Sequence, residues 1–206
     1  MEALRSEIDR ELRRAASGDY NAKLDGLASA AWAAQRLARG LTPAQAKAAR
    51  ATLRQVLEMP LMGSCTPMCC NASFVRAQTI AAKFACLQAW GSRDPEAAEE
   101  LPAAVIDALL VPYSRRLALA AAELFARAPR ASARHLPSLL RALEEHPRWQ
   151  VRDALARALG RAALGGPPSQ RLLRALDQAA ADDEPQLQRT ATKALAALAA
   201  RAKKGA

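Results

Sequence analysis

Aromatic and β-branched side chains are scarce in this sequence of 206 residues. Phe, Trp and Tyr make up 4% of it, and it contains five Val, three Ile and six Thr. That supply is too small for an extensive β-sheet, so we expect helices. Long hydrophobic runs are missing too, because the uncharged run at 194–200 is far shorter than the roughly 20 apolar residues of a membrane span. We therefore expect no membrane segment.

Signals for export and for disulfide bonds are lacking as well. Residues 1–14 carry four acidic and four basic side chains, so neither a secretory signal nor a lipid-anchoring pattern is recognised there. The four cysteines lie within a 22-residue window, 65–86, which is not the spread of a disulfide framework. Together with the Ala- and Arg-rich composition, these features predict a cytoplasmic protein of bacterial type.

Residue patterns that carry catalysis are sparse. No Gly-rich phosphate loop, nucleophile elbow or pair of facing carboxylates is found. Of the two histidines, His135 precedes a proline turn, and His146 precedes Pro147 at a helix end, where a cation would suit the helix dipole. Neither has a metal-ligating neighbour at helical spacing. The sequence therefore favours a binding function over an enzymatic one, with no cofactor.

What the sequence does contain is a helical repeat. Residues 149–160 place apolar side chains at 151, 154, 155, 158 and 159, which is the stripe of an amphipathic helix. The stripe returns 36 residues later, in 184–203, and is also found 34 residues earlier, in 114–128. A shorter helical segment precedes each copy. The repeating unit is therefore a helical hairpin, with copies at about 95–128, 131–164 and 167–203.

The first half continues the helical pattern. Periodic segments cover 2–16, 20–39, 43–59 and 72–90, and Thr42 followed by Pro43 is a good helix start. We interpret 43–90 as a fourth, divergent hairpin and 1–41 as capping helices. The prediction is an all-α fold: an α-solenoid of about four hairpins that forms one continuous domain over 42–206. The larger core residues would be Trp32, Phe74, Phe84, Trp90 and Phe125.

The segment Val151-Arg152-x-x-Leu155-x-x-Ala158-Leu159-Gly160 resembles the second helix of HEAT-like repeats, including the short kind found in phycobilisome lyases. The resemblance covers about half of the chain and is specific to the architecture, not to an activity. It implies a right-handed superhelix whose second helices line the concave face. The subtype also implies a lyase-like or chaperone-like role toward a cofactor protein.

Basic residues are concentrated on the second helices. The chain has a formal charge of +10, and 24 of its 30 basic residues are arginine. The four second helices (72–90, 114–128, 148–164 and 184–203) hold 13 Lys and Arg against three acidic residues, whereas the first helices (43–59, 96–110, 132–146 and 168–182) hold seven against nine. A basic concave strip attracts anions, so we predict a partner that is an acidic protein segment or a nucleic acid. The candidate contact residues are Arg115, Arg116, Arg148, Arg152, Arg157, Arg161, Arg189 and Lys193.

Two alternatives stay open for these cations. Charge on a helix face often does nothing beyond keeping that face solvated. The HEAT resemblance also implies that an arginine at the position of Arg152 bonds along the array to carboxylates, which would make it structural. The leading hypothesis remains a non-enzymatic scaffold or adaptor, a subunit of a larger assembly, with direct nucleic-acid binding as the alternative.

Trp149 and Asp153 permit an enzymatic alternative. One helical turn separates them, so both lie on the same side of the helix. Together with a nearby arginine they resemble part of the site of HEAT-like alkylpurine DNA glycosylases, which hold a lesion nucleotide with concave Trp residues, an Asp and an Arg. A second tryptophan is missing from this pattern. The other interpretation is that Trp149 packs in the core and Asp153 pairs with Arg157.

Cys65, Cys69 and Cys70 form a cysteine-bearing loop before the helix at 72–90. A thiol at a helix N-terminus has a lowered pKa, so a metal site or a reactive thiol is one interpretation. The C-x-x-x-C-C spacing is not the C-x-x-C of zinc knuckles, and Cys86 lies about 24 Å further along the helix. Small apolar side chains packing in a loop is the other interpretation.

Overall fold

The computed structural model describes residues 1–60, 70–93, 104–110, 114–164 and 166–204. In these ranges the backbone forms twelve α-helices and no strand, so the all-α fold class is confirmed. None of these helices is long and apolar enough to cross a membrane. The chain divides into two compact units, residues 1–94 and 95–206, and each has its own internal packing.

Within the described part of unit 1 there are five helices. They are α1 Glu2–Ser17, α2 Tyr20–Gly40, α3 Pro43–Ala48, α4 Arg50–Glu58 and α5 Cys70–Arg93. Helix α2 packs against α1, α4 and α5. Its contact with α1 is close: a Cβ on Gly26 would lie 2.7 Å from the carbonyl oxygen of Glu11. Small side chains therefore set the spacing of this pair.

Helix starts in unit 1 follow the capping residues. The backbone N–H of Gln45 donates to Thr42 Oγ1, and the Gln45 side chain accepts from the Thr42 backbone N–H, which is a complete capping box. The predicted start at Thr42 is confirmed. The predicted helix over 43–59 is interrupted at Ala49, where ψ is 0° and two shorter helices meet.

Two of the five predicted core aromatics are not in the core. Trp32 and Phe74 are each 59% exposed, whereas Trp90 and Phe125 are buried. The reason is visible on α2, where the fully buried positions are alanines: residues 30, 31, 33 and 34. Alanine at those positions lets the helix axes approach closely and leaves the large ring of Trp32 on the open side.

The described residues of unit 2 form seven helices. They are α6 Ala104–Leu109, α7 Arg115–Arg127, α8 Pro129–Arg134, α9 Leu136–Glu145, α10 Trp149–Arg161, α11 Gln170–Ala180 and α12 Pro185–Lys204. Pro137 occupies the first turn of α9, where its missing N–H costs nothing. Serines 114 and 169 accept from backbone N–H groups at the starts of α7 and α11.

The seven helices pack as three pairs and one short connector. Helices α6 and α7, α9 and α10, and α11 and α12 pack as sequential pairs. Helix α10 lies between α7 and α12, and we call α7, α10 and α12 the second-helix row. On the other side α9 contacts both α6 and α11. The short α8 contacts α7, α9 and α10.

Neighbouring members of the second-helix row run parallel. The N–H of Ala163, just after α10, donates to the carbonyl of Pro129, just after α7, at 2.9 Å. The buried hydroxyl of Ser132 donates to the carbonyl of Phe125 at 2.7 Å, which satisfies an end of α7. The C-terminal ends of α7 and α10 therefore lie at the same edge, and their N-terminal ends lie at the opposite one.

Candidate anion-binding surface

All eight predicted contact residues lie in unit 2, on or at the start of the second-helix row. Arg115 and Arg116 begin α7, Arg148 is the N-cap of α10, and Arg189 and Lys193 lie on α12. The three others belong to α10: Arg152, Arg157 and Arg161. The structure separates these cations into two groups by what they bond to.

Arg152 joins two hairpins. Its Nη1 lies 2.5 Å from Oδ2 of Asp182, a residue of the turn between α11 and α12, and the two side chains are only 24% and 17% exposed. Oδ1 of Asp182 accepts from the N–H of Glu184 at 3.1 Å, and the Asp182 carbonyl accepts from Gln188. The guanidinium group of Arg152 thus bonds to a carboxylate that is itself held in place by hydrogen bonds. Arg152 is therefore structural, which was one of the alternatives stated for it.

Arg157 covers a buried carboxylate. Asp153 is 4% exposed, and its Oδ2 accepts from Arg157 Nη2 at 3.1 Å, which confirms the predicted intrahelical pair. The other oxygen, Oδ1, is buried without a hydrogen-bond partner. The Arg157 side chain remains 43% exposed, so it can still contact a partner from its outer side.

The arginines near the helix ends reach back to the preceding helix. Arg161 Nη1 donates to the carbonyl of Ala126 at the end of α7, at 3.4 Å. Arg201 of α12 donates to the carbonyls of Ala162, at 3.0 Å, and Gly160 at the end of α10. A cation at these carbonyls complements the negative end of the helix dipole. Arg201 was not predicted from the sequence. Arg161 bonds to a carbonyl 35 residues before it, and Arg201 bonds to carbonyls 39 and 41 residues before it, so an arginine near the end of each second helix is a signal that could have found it.

Arg189 bonds within its own helix. Its Nε donates to the carbonyl of Pro185 at 3.1 Å, and the residue is exposed. The remaining four cations of the predicted set, Arg115, Arg116, Arg148 and Lys193, are exposed and their side chains bond to no residue that the structure describes. Four of the eight predicted contacts are therefore fully available to an outside anion.

His146 lies beside this charge and is neutral. Its Nδ1 accepts from the backbone N–H of Arg148 at 3.1 Å, and its Nε2 is buried without a partner. Burial, followed by the charges of Arg148 and Arg152, lowers the pKa of His146, and a ring nitrogen that accepts an N–H is unprotonated. The expectation of a cationic histidine at this helix end is wrong, because the side chain is an acceptor in a desolvated turn.

Trp149 and Asp153 both lie on α10, one turn apart. Trp149 is half-buried, and Asp153 is buried beneath Arg157. Unit 2 has no other tryptophan. One oxygen of the Asp153 carboxylate thus accepts a hydrogen bond from Arg157, and the other oxygen is buried.

The cysteine-bearing loop lies mostly outside the described residues. Cys65 and Cys69 are not described, and for Cys70 only the backbone is, as the first residue of α5. Cys86 is buried, and burial raises the pKa of its thiol to about 12 although the charge of Lys83 opposes this. Among the described residues, no group of three or more His, Cys, Asp or Glu is placed to hold a metal ion.

No family model matches the chain, and no curated protein matches its sequence.

Proposed function

We propose that this protein is a HEAT-like scaffold or adaptor that binds an anionic partner along its second-helix row, as a subunit of a larger assembly. Three sequential helix pairs with α7, α10 and α12 side by side are the arrangement that stacked HEAT-like hairpins would give. Under this proposal the row is the concave surface of a short solenoid. We infer that this surface binds a partner and does not catalyse a reaction.

The observation that carries the proposal is the composition of the open side of α10. Eight of the 13 residues of this helix are buried. The open positions Gln150, Arg157 and Arg161 follow one another at intervals that place them on the same side of the helix. Lys193 adds a cation on the neighbouring α12. A narrow, arginine-bearing face on an otherwise enclosed helix supports contact with an anion.

A binding experiment with charge-neutralising substitutions tests this proposal. Labelled polyglutamate and a labelled DNA duplex are titrated with the wild-type protein at low ionic strength, and then with the double variant Arg157→Gln/Lys193→Gln, whose side chain at position 157 can still donate to the buried Asp153 carboxylate. The control, Arg130→Gln/Arg134→Gln, makes the same charge change at exposed residues of α8. We expect at least one anion to bind, and the first variant alone to weaken that binding by about tenfold. Absence of binding to wild type contradicts the proposal.

The second candidate function is glycosylase activity on alkylated DNA. The observation that favours it is the buried, unpartnered Oδ1 of Asp153, one turn from Trp149. A buried polar atom without a partner calls for an explanation, and a ligand donor is one. An excision assay with alkylated DNA, comparing wild type with Asp153→Asn, tests it. Lack of base release by wild type rejects this function.

A further inference from the structure

Arg115, Arg116 and Arg148 lie at one edge of unit 2, where α7 and α10 begin. The two helices have 13 residues each, run parallel and are tied at their C-terminal ends by the Arg161 bond to Ala126. Their N-terminal turns therefore lie side by side, about 8–10 Å apart at the helix axes. We call these three residues the cationic edge.

The hydrogen-bond donors of the cationic edge are available to an outside ligand. All three side chains are exposed, and none bonds to a residue in the described part of unit 2. This distinguishes them from Arg152, which is held by Asp182, and from Arg157, which covers Asp153. A guanidinium group offers five donors in a planar fork that fits a carboxylate.

The helix ends add to the positive potential at this edge. Both α7 and α10 point their positive dipole ends toward it, and α10 has no side-chain cap on its first-turn N–H groups. Because His146 is held neutral as an acceptor, it adds no charge of its own. The anion-attracting groups are thus the three guanidinium groups and the two helix starts.

Acidic residues limit the length of the edge. Asp183 and Glu184 stand just before α12, the next helix of the row, and Asp183 is exposed. An extended polyanion laid across all three helix starts would place phosphates against these carboxylates. A short anionic segment needs only the starts of α7 and α10. Since affinity for a duplex comes mainly from contacts to many phosphates, three free guanidinium groups suit the shorter ligand.

An apolar side chain lies among the cations. Leu119 lines a surface depression of about 520 Å³ together with Ser114, Arg115 and Arg116. A nucleic-acid backbone offers nothing to such a leucine, whereas a peptide can place an apolar side chain beside its carboxylates.

We propose that the cationic edge binds a short acidic segment of a partner protein in which apolar residues stand next to Asp or Glu. The proposal rests on the proposed function and narrows it in two respects. It moves the main anchoring point from the middle of the second-helix row to its N-terminal edge, and it chooses a protein over a nucleic acid.

The test uses three labelled probes at low ionic strength: a peptide of alternating Glu and Leu pairs, polyglutamate, and a DNA duplex. The full chain is compared with Arg115→Glu/Arg116→Glu, with Arg148→Glu and with the control Arg130→Glu/Arg134→Glu. Thermal unfolding checks that each variant is folded. We expect the Glu/Leu peptide to bind most tightly, and each edge variant to weaken it by about tenfold while the control does not.

The variant Leu119→Gln separates the apolar contribution from the charge. It should weaken the Glu/Leu peptide several-fold and leave polyglutamate unchanged. If the edge variants bind the peptide as tightly as wild type does, the proposal is overturned, even where weaker binding by Arg157→Gln/Lys193→Gln shows that an anion binds the middle of the row. Preference for the duplex overturns the choice of partner. Lack of binding by every probe to wild type removes the proposed function itself, and this proposal with it.

Discussion

Gly160 of α10 lies directly against Ala194 of α12. A Cβ added to Gly160 would stand 2.6 Å from the Cβ of Ala194 and 2.9 Å from its Cα, so the neighbouring backbone would have to move. No left-handed conformation is involved, because no described glycine has a positive φ. The glycine is required by the closeness of two helices in the second-helix row.

Replacing Gly160 by alanine should therefore destabilise unit 2. We expect Gly160→Ala to lower the free energy of unfolding by about 1–3 kcal/mol, because the added methyl group overpacks a helix contact. Urea unfolding followed by circular dichroism measures this. The control is Gly166→Ala, whose new Cβ meets nothing within 4 Å and should change stability by less than about 0.5 kcal/mol. Equal effects of the two substitutions would show that the contact is loose.

The Arg152–Asp182 pair should show strong coupling in a double-mutant cycle. With Arg152→Met, Asp182→Asn and the double variant, we expect a coupling free energy of about 1–3 kcal/mol, since both partners are mostly buried. The comparison pair is Arg141–Glu145, at 2.9 Å but 64% and 58% exposed, where we expect about 0.3–0.5 kcal/mol. A coupling at Arg152–Asp182 no larger than at the exposed pair would reject its role in joining the hairpins.

His146 should make the protein less stable in mild acid. Its folded-state pKa is lowered below the ordinary value near 6.5, so the unfolded chain takes up a proton first. The free energy of unfolding should then fall as pH drops below about 6.5 and level off below the folded-state pKa. His146→Asn keeps an acceptor for the Arg148 N–H and removes the titration. Urea unfolding across this range should show a smaller pH slope for the variant, and identical slopes would contradict the prediction.

Cys86 should be unreactive in the folded protein. Its pKa of about 12 keeps it a thiol at neutral pH, and its burial keeps reagents away. In a chain with Cys65, Cys69 and Cys70 replaced by serine, a disulfide reagent should modify Cys86 only after denaturant is added. Because the folded-state pKa is raised, the thiol's stabilising contribution is complete below the unfolded value near 8.5 and is lost as pH rises. Rapid modification of the native protein would disprove this.

The helical class and many helix starts could be predicted from the sequence, because they depend on local signals. Thr42 carries its capping box within three residues, and the apolar stripe of 149–160 repeats at a constant interval. The interruption at Ala49 and the exposure of Trp32 could not be predicted. Both depend on which neighbouring helix covers which side, and an alanine-rich helix gives almost no local preference for one side.

The candidate surface was predicted as a set, and the sequence suggested a bond within the protein only for Arg152 and Arg157. The Arg157 pair with Asp153 follows from an interval of four residues. The bond of Arg152 to Asp182 spans 30 residues and depends on how two hairpins stack. The neutral state of His146 depends on burial and on two nearby guanidinium groups, which sequence spacing does not reveal.

Two arginines in unit 2 bond backwards along the chain: Arg161 bonds to Ala126, and Arg201 bonds to Gly160 and Ala162. In each case the later helix satisfies carbonyls of the earlier one. During synthesis from the ribosome, α7 and α10 would therefore remain incompletely satisfied at their ends until the next hairpin emerged and docked. Damage or cleavage within α12 would likewise leave carbonyl groups at the end of α10 without their donor, although the sequence of that earlier hairpin is intact.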